Sequence, residues 1–149
     1  FRINLNYPTL DEEIEILRNK TKSLDSSSRI ISKDQILQAR KFLIDNMSVD
    51  DGISEYISSI VQSTRTQEGI IIGASPTAAV SLLNASRGHA AIIRGSDKVT
   101  TEDVKAVAYD VLNHRLLIKQ SDIADSGTDA ESSNTAEKII TDIIQSGGN

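Results

Sequence analysis

Ile70-Ile71-Ile72-Gly73-Ala74-Ser75-Pro76-Thr77-Ala78-Ala79 passes abruptly from three β-branched residues to a run of small ones. Ser75-Pro76 marks a helix start, because a serine oxygen can accept from first-turn amides and a proline at the first helical position has no amide to leave unpaired. The helix is expected to run to about Ile93, with Ala79, Leu82, Ser86 and Ala90 along an inner face light enough for close packing. Ile70 to Ile72 fits either a brief strand or a buried connector. A closely packed helix beside so short an extended piece points to a helical bundle with small extended segments.

Reading toward the N-terminus, Ile53, Tyr56, Ile57, Ile60 and Val61 follow the offsets of an amphipathic helix from about Asp50 to Arg65. Ser32 and Gln35 have capping-box spacing ahead of a helix whose expected buried stripe is Ile36, Ala39, Leu43 and Met47. Thr9 and Glu12 repeat that spacing before a helix over 10–21 with Leu10, Ile14 and Leu17 on one face, and residues 23–28 read as a polar loop. The alternation Arg2-Ile3-Asn4-Leu5 predicts a short extended segment near 2–5. Toward the C-terminus, Arg94 to Asp97 is a stop and turn, and Thr100 or Thr101 caps a fifth helix with the stripe Val104, Val107, Ala108, Val111 and Leu112. Residues 115–119 read as extended and 121–135 as an acidic, serine-rich linker. A last helix over about 136–145 carries Ala136, Ile139, Ile140, Ile143 and Ile144, and is too short to be stable unless it docks.

The chain has 149 residues, 38% hydrophobic and only 3% aromatic, so aliphatic packing must hold it and aromatic platforms for single-stranded nucleic acid are not expected. With no cysteine and two histidines it offers neither disulfides nor the usual zinc ligand sets, and no metal site is expected. The net charge of -5 is unevenly placed. Residues 1–120 balance fifteen Lys/Arg against fifteen Asp/Glu, while 121–149 hold six acids and Lys138. A neutral, interleaved body argues against a nucleic-acid partner, and no stretch is apolar enough to span a bilayer. The absence of cysteine fits a cytoplasmic location.

No phosphate-loop glycine pattern, zinc-protease motif or nucleophile elbow occurs, and His89 and His114 lie on different predicted helices, so no catalytic residue is expected within these 149. Gly73 to Ala79 remains as the place where a ligand could approach. A helix N-terminus offers unpaired amides and a positive dipole end to a phosphate, although a plain cap on a closely packed helix has the same spacing.

The order of segments resembles the C-terminal part of MoxR-type AAA+ ATPases. The resemblance is carried by Phe1 to Pro8 with Asp11 to Leu17, Ser63-Thr64-Arg65, Gly73-Ala74-Ser75-Pro76, Arg94-Gly95 through Val99 to Lys105, and Val111-Leu112-Asn113-His114-Arg115. It implies a mainly α fold, an AAA+ lid-type bundle of about five helices plus a C-terminal helix. On this reading 1–8 are a strand and linker from an N-terminal ATPase core, 9–120 the lid, 121–135 a linker, and 136–149 the C-terminal helix and tail. The Phe1 start is then expected to be a cut within a longer chain.

The resemblance further implies that the lid couples ATP binding and hydrolysis in that core to chaperone-like remodelling or maturation of protein complexes. ATP with Mg2+ would be held mostly by the core. The implied partners are the core, neighbouring subunits of a ring, expected to be a hexamer, and a von Willebrand factor A domain protein or client. Its implied nucleotide contacts here are Ala74, Ser75, Pro76 and Thr77, together with Arg115. In the family the position of Thr77 is an arginine, sensor 2, and threonine lacks that fixed positive fork. Either the coupling is weakened or an arginine from another element replaces it; Arg87 is about 15 Å farther along the same helix. Arg65 and His114-Arg115 fit both a ligand or subunit contact and a charge at a helix C-terminus. The competing reading is a helical protein-interaction module, or a DNA-binding one of histone-fold type, without a nucleotide role, on the pattern Asp97 to Val104.

Overall fold

The computed structural model describes residues 3, 5, 7–20, 30–119 and 129–146. In chain order these form α1 (Leu10–Lys20), α2 (Lys33–Asn46), α3 (Asp51–Thr66), β1 (Ile70–Ile72), α4 (Pro76–Ile93), α5 (Thr101–Leu112), a 3-10 turn (Asn113–Arg115), β2 (Leu117–Ile118) and α6 (Asp129–Ser146). The chain is a mainly α bundle in which α4 packs most extensively on α5. Helix α3 lies against α4, and α6 covers α3, α5 and the 3-10 turn.

The stripes expected on α3 and α5 are buried in full, and Leu82, Ser86 and Ala90 form the buried face of α4 with Ala78, while Ala79 is only half-buried. Ile140 and Ile143 of α6 are fully buried, and the Tyr56 hydroxyl donates to the Ile144 carbonyl at 3.1 Å. Burying such a side chain contributes roughly 1.5–3 kcal/mol, which is how α6 becomes part of the bundle. Its backbone is helical from Asp129, inside the stretch expected as linker; residues 120–128 lie outside the described residues, as do 21–29 with the loop expected at 23–28.

The run at 70–72 is a strand. It pairs antiparallel with β2, Ile70 opposite Ile118 and Ile72 opposite Leu117, with an irregularity between. The extended stretch expected at 115–119 is therefore shorter, because Arg115 closes the 3-10 turn. Ile3 and Leu5 belong to no strand and are exposed, so the expected segment at 2–5 is not formed by its described residues; Arg2 and Asn4 lie outside them.

A second correction concerns α1 and α2. Both capping boxes form: Ser32 N donates to Gln35 Oε1 at 2.8 Å, and Thr9 N to Glu12 Oε2 at 2.7 Å. The apolar faces behind them are not buried. Leu10 and Leu17 are 73% and 67% exposed, Ile36 and Phe42 58% and 63%, and Ala39 is exposed as well. Among the described residues, α2 rests on the bundle near its C-terminal end, where Leu43 is half-buried and its C-cap Met47 buried beside α4.

The turn from α4 to α5 is fixed by one carboxylate. Gly95, with φ +62°, reverses the chain after Arg94 so that Ser96 N reaches the Ala90 carbonyl. Asp103 on the first turn of α5 is fully buried. Its Oδ2 accepts from Arg94 Nη2 (2.6 Å) and from the amide and hydroxyl of Thr100 (2.8 and 2.9 Å). Its Oδ1 accepts from Arg94 Nε (2.7 Å) and His89 Nδ1 (2.8 Å), which must carry the ring proton against an ionised carboxylate. Burial pushes the carboxyl up, and these donors outweigh it, holding the group well below the usual carboxylate range.

Three substitutions test the stability of this packing. Asp103→Ala should cost about 2–3 kcal/mol in urea unfolding at neutral pH, below the range for a fully buried pair because the Arg94 side chain is 35% exposed. Since the folded value lies below the unfolded one, that contribution is present above the ordinary carboxylate value of 3.8 and fades as pH falls beneath it, so wild type and variant should converge in acid. Gly73→Ala would bring a Cβ within 2.7 Å of the Arg65 Cα and the Thr64 carbonyl, and should destabilise by about 1–3 kcal/mol. Gly88→Ala on α4 meets nothing within 4 Å and should stabilise by about 0.5–1 kcal/mol in the same assay.

Candidate functional site

The start of α4 stands at the end of the bundle where α3 ends and the chain leaves the α5 turn for β2. Ser75 is the N-cap, with extended backbone, and Pro76 takes the first helical position. The expected serine cap is absent: the Ser75 side chain makes no capping hydrogen bond. Ser75, Pro76 and Thr77 are exposed and Ala74 is buried, so the first turn of an 18-residue helix faces outward with small side chains around it. Such a turn presents partial positive charge.

The approach to that turn is held by α3. Ala74 N donates to Thr64 Oγ1 at 2.9 Å, and the Ala74 carbonyl accepts from Arg65 Nε at 3.0 Å. Arg65 therefore engages the connector, which neither of its expected roles included. Gly73 is required here because a Cβ at this position would fall 2.7 Å from the Arg65 Cα and from the Thr64 carbonyl oxygen.

Arg115 comes from the other side. Its Nη2 donates to Ser81 Oγ at 3.1 Å, and Ser81 Oγ in turn donates to the Thr77 carbonyl at 3.0 Å. One helical turn, about 6 Å along the axis, separates Ser81 from Thr77, so the structure brings the guanidinium of Arg115 to the first two turns of α4. Arg115 Nε is screened from solvent and has no hydrogen-bond partner among the described residues. Arg87 lies farther along α4 and is half-buried, and His114 is exposed. Ser81 was missed by sequence reasoning; its spacing of four from Thr77, on one helix face, was the available signal.

The remaining polar clusters serve the fold. His89 is committed to Asp103, and Lys98 pairs with Asp50 at 2.8 Å on the surface. Among the described residues no group of three acids or histidines is placed to hold a metal ion, and no helix is long and apolar enough to cross a membrane.

The AAA lid domain family matches residues 62–143. The chaperone MoxR1 of Mycobacterium tuberculosis is 31% identical over 134 residues, 84% of this chain and 35% of that protein. The uncharacterized protein YeaC of Bacillus subtilis is 29% identical over 120 residues, 79% of this chain and 37% of that protein. A crystal structure from Cytophaga hutchinsonii, of a protein provisionally assigned as an ATPase, superimposes with a TM-score of 0.68 at 26% identity, covering 90% of this chain and 43% of the other. The chain thus spans little more than a third of the length of these curated relatives. The matched span runs from the end of α3, through the α4 start and the Asp103 turn, into α6, and the chain belongs to the AAA lid domain family, as a lid of the MoxR type.

Proposed function

We propose that this domain is the moving lid of an ATP-driven remodelling machine, and that the start of α4 is the end that faces the nucleotide phosphates. The observation that carries the reading is the pairing of an outward, uncapped α4 start at Ser75 to Thr77 with the Arg115 guanidinium anchored one turn away on Ser81. Ser75 and Thr77 can donate hydroxyl hydrogen bonds, and Arg115 supplies the positive charge that Thr77 lacks at the position of the family's sensor 2 arginine. A guanidinium aimed at transferring phosphate oxygens stabilises the charge that develops on them. These residues suit the anionic end of ATP, while the acidic ligands for Mg2+ would come from the core. That ion would neutralise charge on the phosphates.

The exposed apolar faces of α1 and α2 support a partner domain. Leu10, Leu17, Ile36, Leu37 and Phe42 lie open on two helices that have sound caps and little of the bundle to rest on. An N-terminal AAA+ core, of the kind that the length of the relatives leaves room for, would cover them. Nucleotide bridging core and lid would favour a closed arrangement, and hydrolysis would release it. In a ring, for which the family resemblance suggests a hexamer, that motion would pass to neighbouring subunits and do chaperone-like work on a bound client or a von Willebrand factor A domain partner.

Two measurements test the reading. The 149-residue chain alone should hydrolyse no ATP and bind it at best in the millimolar range; micromolar affinity by calorimetry would contradict the division of labour. In the protein carrying its core, Thr77→Arg should raise turnover or tighten ATP relative to ADP, and Arg115→Ala should lower kcat by about tenfold or more, toward the loss seen when one charge-stabilising donor is removed. Unchanged kinetics in both variants would remove the start of α4 from the site.

A further inference from the structure

We infer that Thr64 and Arg65, at the C-terminal end of α3, are positioning residues that set where the first turn of α4 stands, so that α3 carries lid motion to the phosphate-facing end; this rests on the reading of that end given above. The first turn of α4 has little of its own to fix it. Ser75 makes no side-chain cap and Pro76 has no amide hydrogen. Its position comes from the residue just before, Ala74, which is buried and whose two backbone polar groups are both taken by neighbouring residues of α3.

The Thr64 hydroxyl is oriented for the task. Its one proton is donated to the Val61 carbonyl at 2.6 Å, which leaves its lone pairs for the Ala74 amide. Thr64 is fully buried, so this pair has no water to exchange with. Arg65 Nε holds the Ala74 carbonyl, and Gly73 lies on the Arg65 backbone with no room for a Cβ. Upstream, Lys119 N donates to the Gly69 carbonyl at 2.8 Å and ties the preceding turn to the strand pair. Three residues separate Ala74 from Thr77 along the chain, counting Thr77 itself, and one of them is a proline. A displacement of the α3 end is therefore passed to Thr77 with little slack, while the partners of Thr64 and Arg65 are backbone groups and neither residue needs to touch the ligand.

The test uses the protein with its ATPase core. Thr64→Val keeps the shape and removes the acceptor, and Thr64→Ser restores it. Loss of position without loss of core contacts should lower kcat about ten- to hundredfold with KM for ATP within about twofold. Thr64→Ser should recover most of the rate. The Ala74 amide should exchange faster with solvent in Thr64→Val, and the change in turnover expected of Thr77→Arg in the wild-type background should be absent in that of Thr64→Val. If Thr64→Val prevents folding, Arg65→Ala, at an exposed side chain, provides the same kinetic readout. A wild-type kcat in Thr64→Val, or in Arg65→Ala where that variant is the one used, with Thr77→Arg still effective, would overturn the positioning role and leave the reading of the α4 start intact. Thr77→Arg and Arg115→Ala both silent in the wild-type background would overturn both.

Discussion

Asp103 is an ionised carboxylate withdrawn from water, and it is tolerated because every direction around it is filled by a donor. Arg94 reaches it with two nitrogens, His89 with one, and Thr100 with its amide and hydroxyl. These donors belong to the last turns of α4, the reversal after it, and the residue that caps α5. A buried charge with fewer partners would cost several kcal/mol, so the geometry at this junction is closely prescribed. Because α4 and α5 form the main interface of the bundle, the angle set here governs what α3 and α6 can pack against. The same reversal is tied to the α2–α3 connector, where Val99 N donates to the Ser48 carbonyl and Ser48 N to that of Asp97.

Helix α4 is thereby held at both ends. The Asp103 cluster fixes its C-terminus, the Thr64 and Arg65 contacts fix the chain entering its N-terminus, and the small residues Ala78, Ser86 and Ala90 let it lie close to its neighbours between. About 27 Å of rod joins the two anchors. A rod of this stiffness would pass a displacement at one anchor on to the other, where a compliant helix would absorb it. Among the described residues, the start of α4 and the apolar faces of α1 and α2 stand open to solvent.

The sequence made the bundle legible wherever a helix packs within the chain. The offsets of Ile53 to Val61 and Val104 to Leu112 identified faces that are buried without exception, the capping spacings at Thr9 and Ser32 marked true helix starts, and of the two candidates Thr100 and Thr101 it is Thr100 that caps α5. Periodicity reports an apolar face and not its partner, which is why Ile36 and Ala39 read as core and stand exposed. The segment near 2–5 alternates like a strand, but a strand needs an edge to pair with, and its described residues have none. At the site, Ala74 to Thr77 and Arg115 were visible as motif residues. Ser81 was signalled only by its spacing of four from Thr77, and the grip of Arg65 on Ala74 not at all, because that grip and the Arg115–Ser81 contact arise between elements, where no local pattern encodes them.

Hydrogen exchange at the amides of Ala74, Thr77 and Ala78, measured with and without a slowly hydrolysed ATP analogue in the protein joined to its ATPase core, tests the central claim most directly. Protection that rises at these positions with ATP analogue and Mg2+, and less with ADP, is the result expected of a phosphate-facing start of α4. Exchange unchanged at all three while the core itself becomes protected would contradict it.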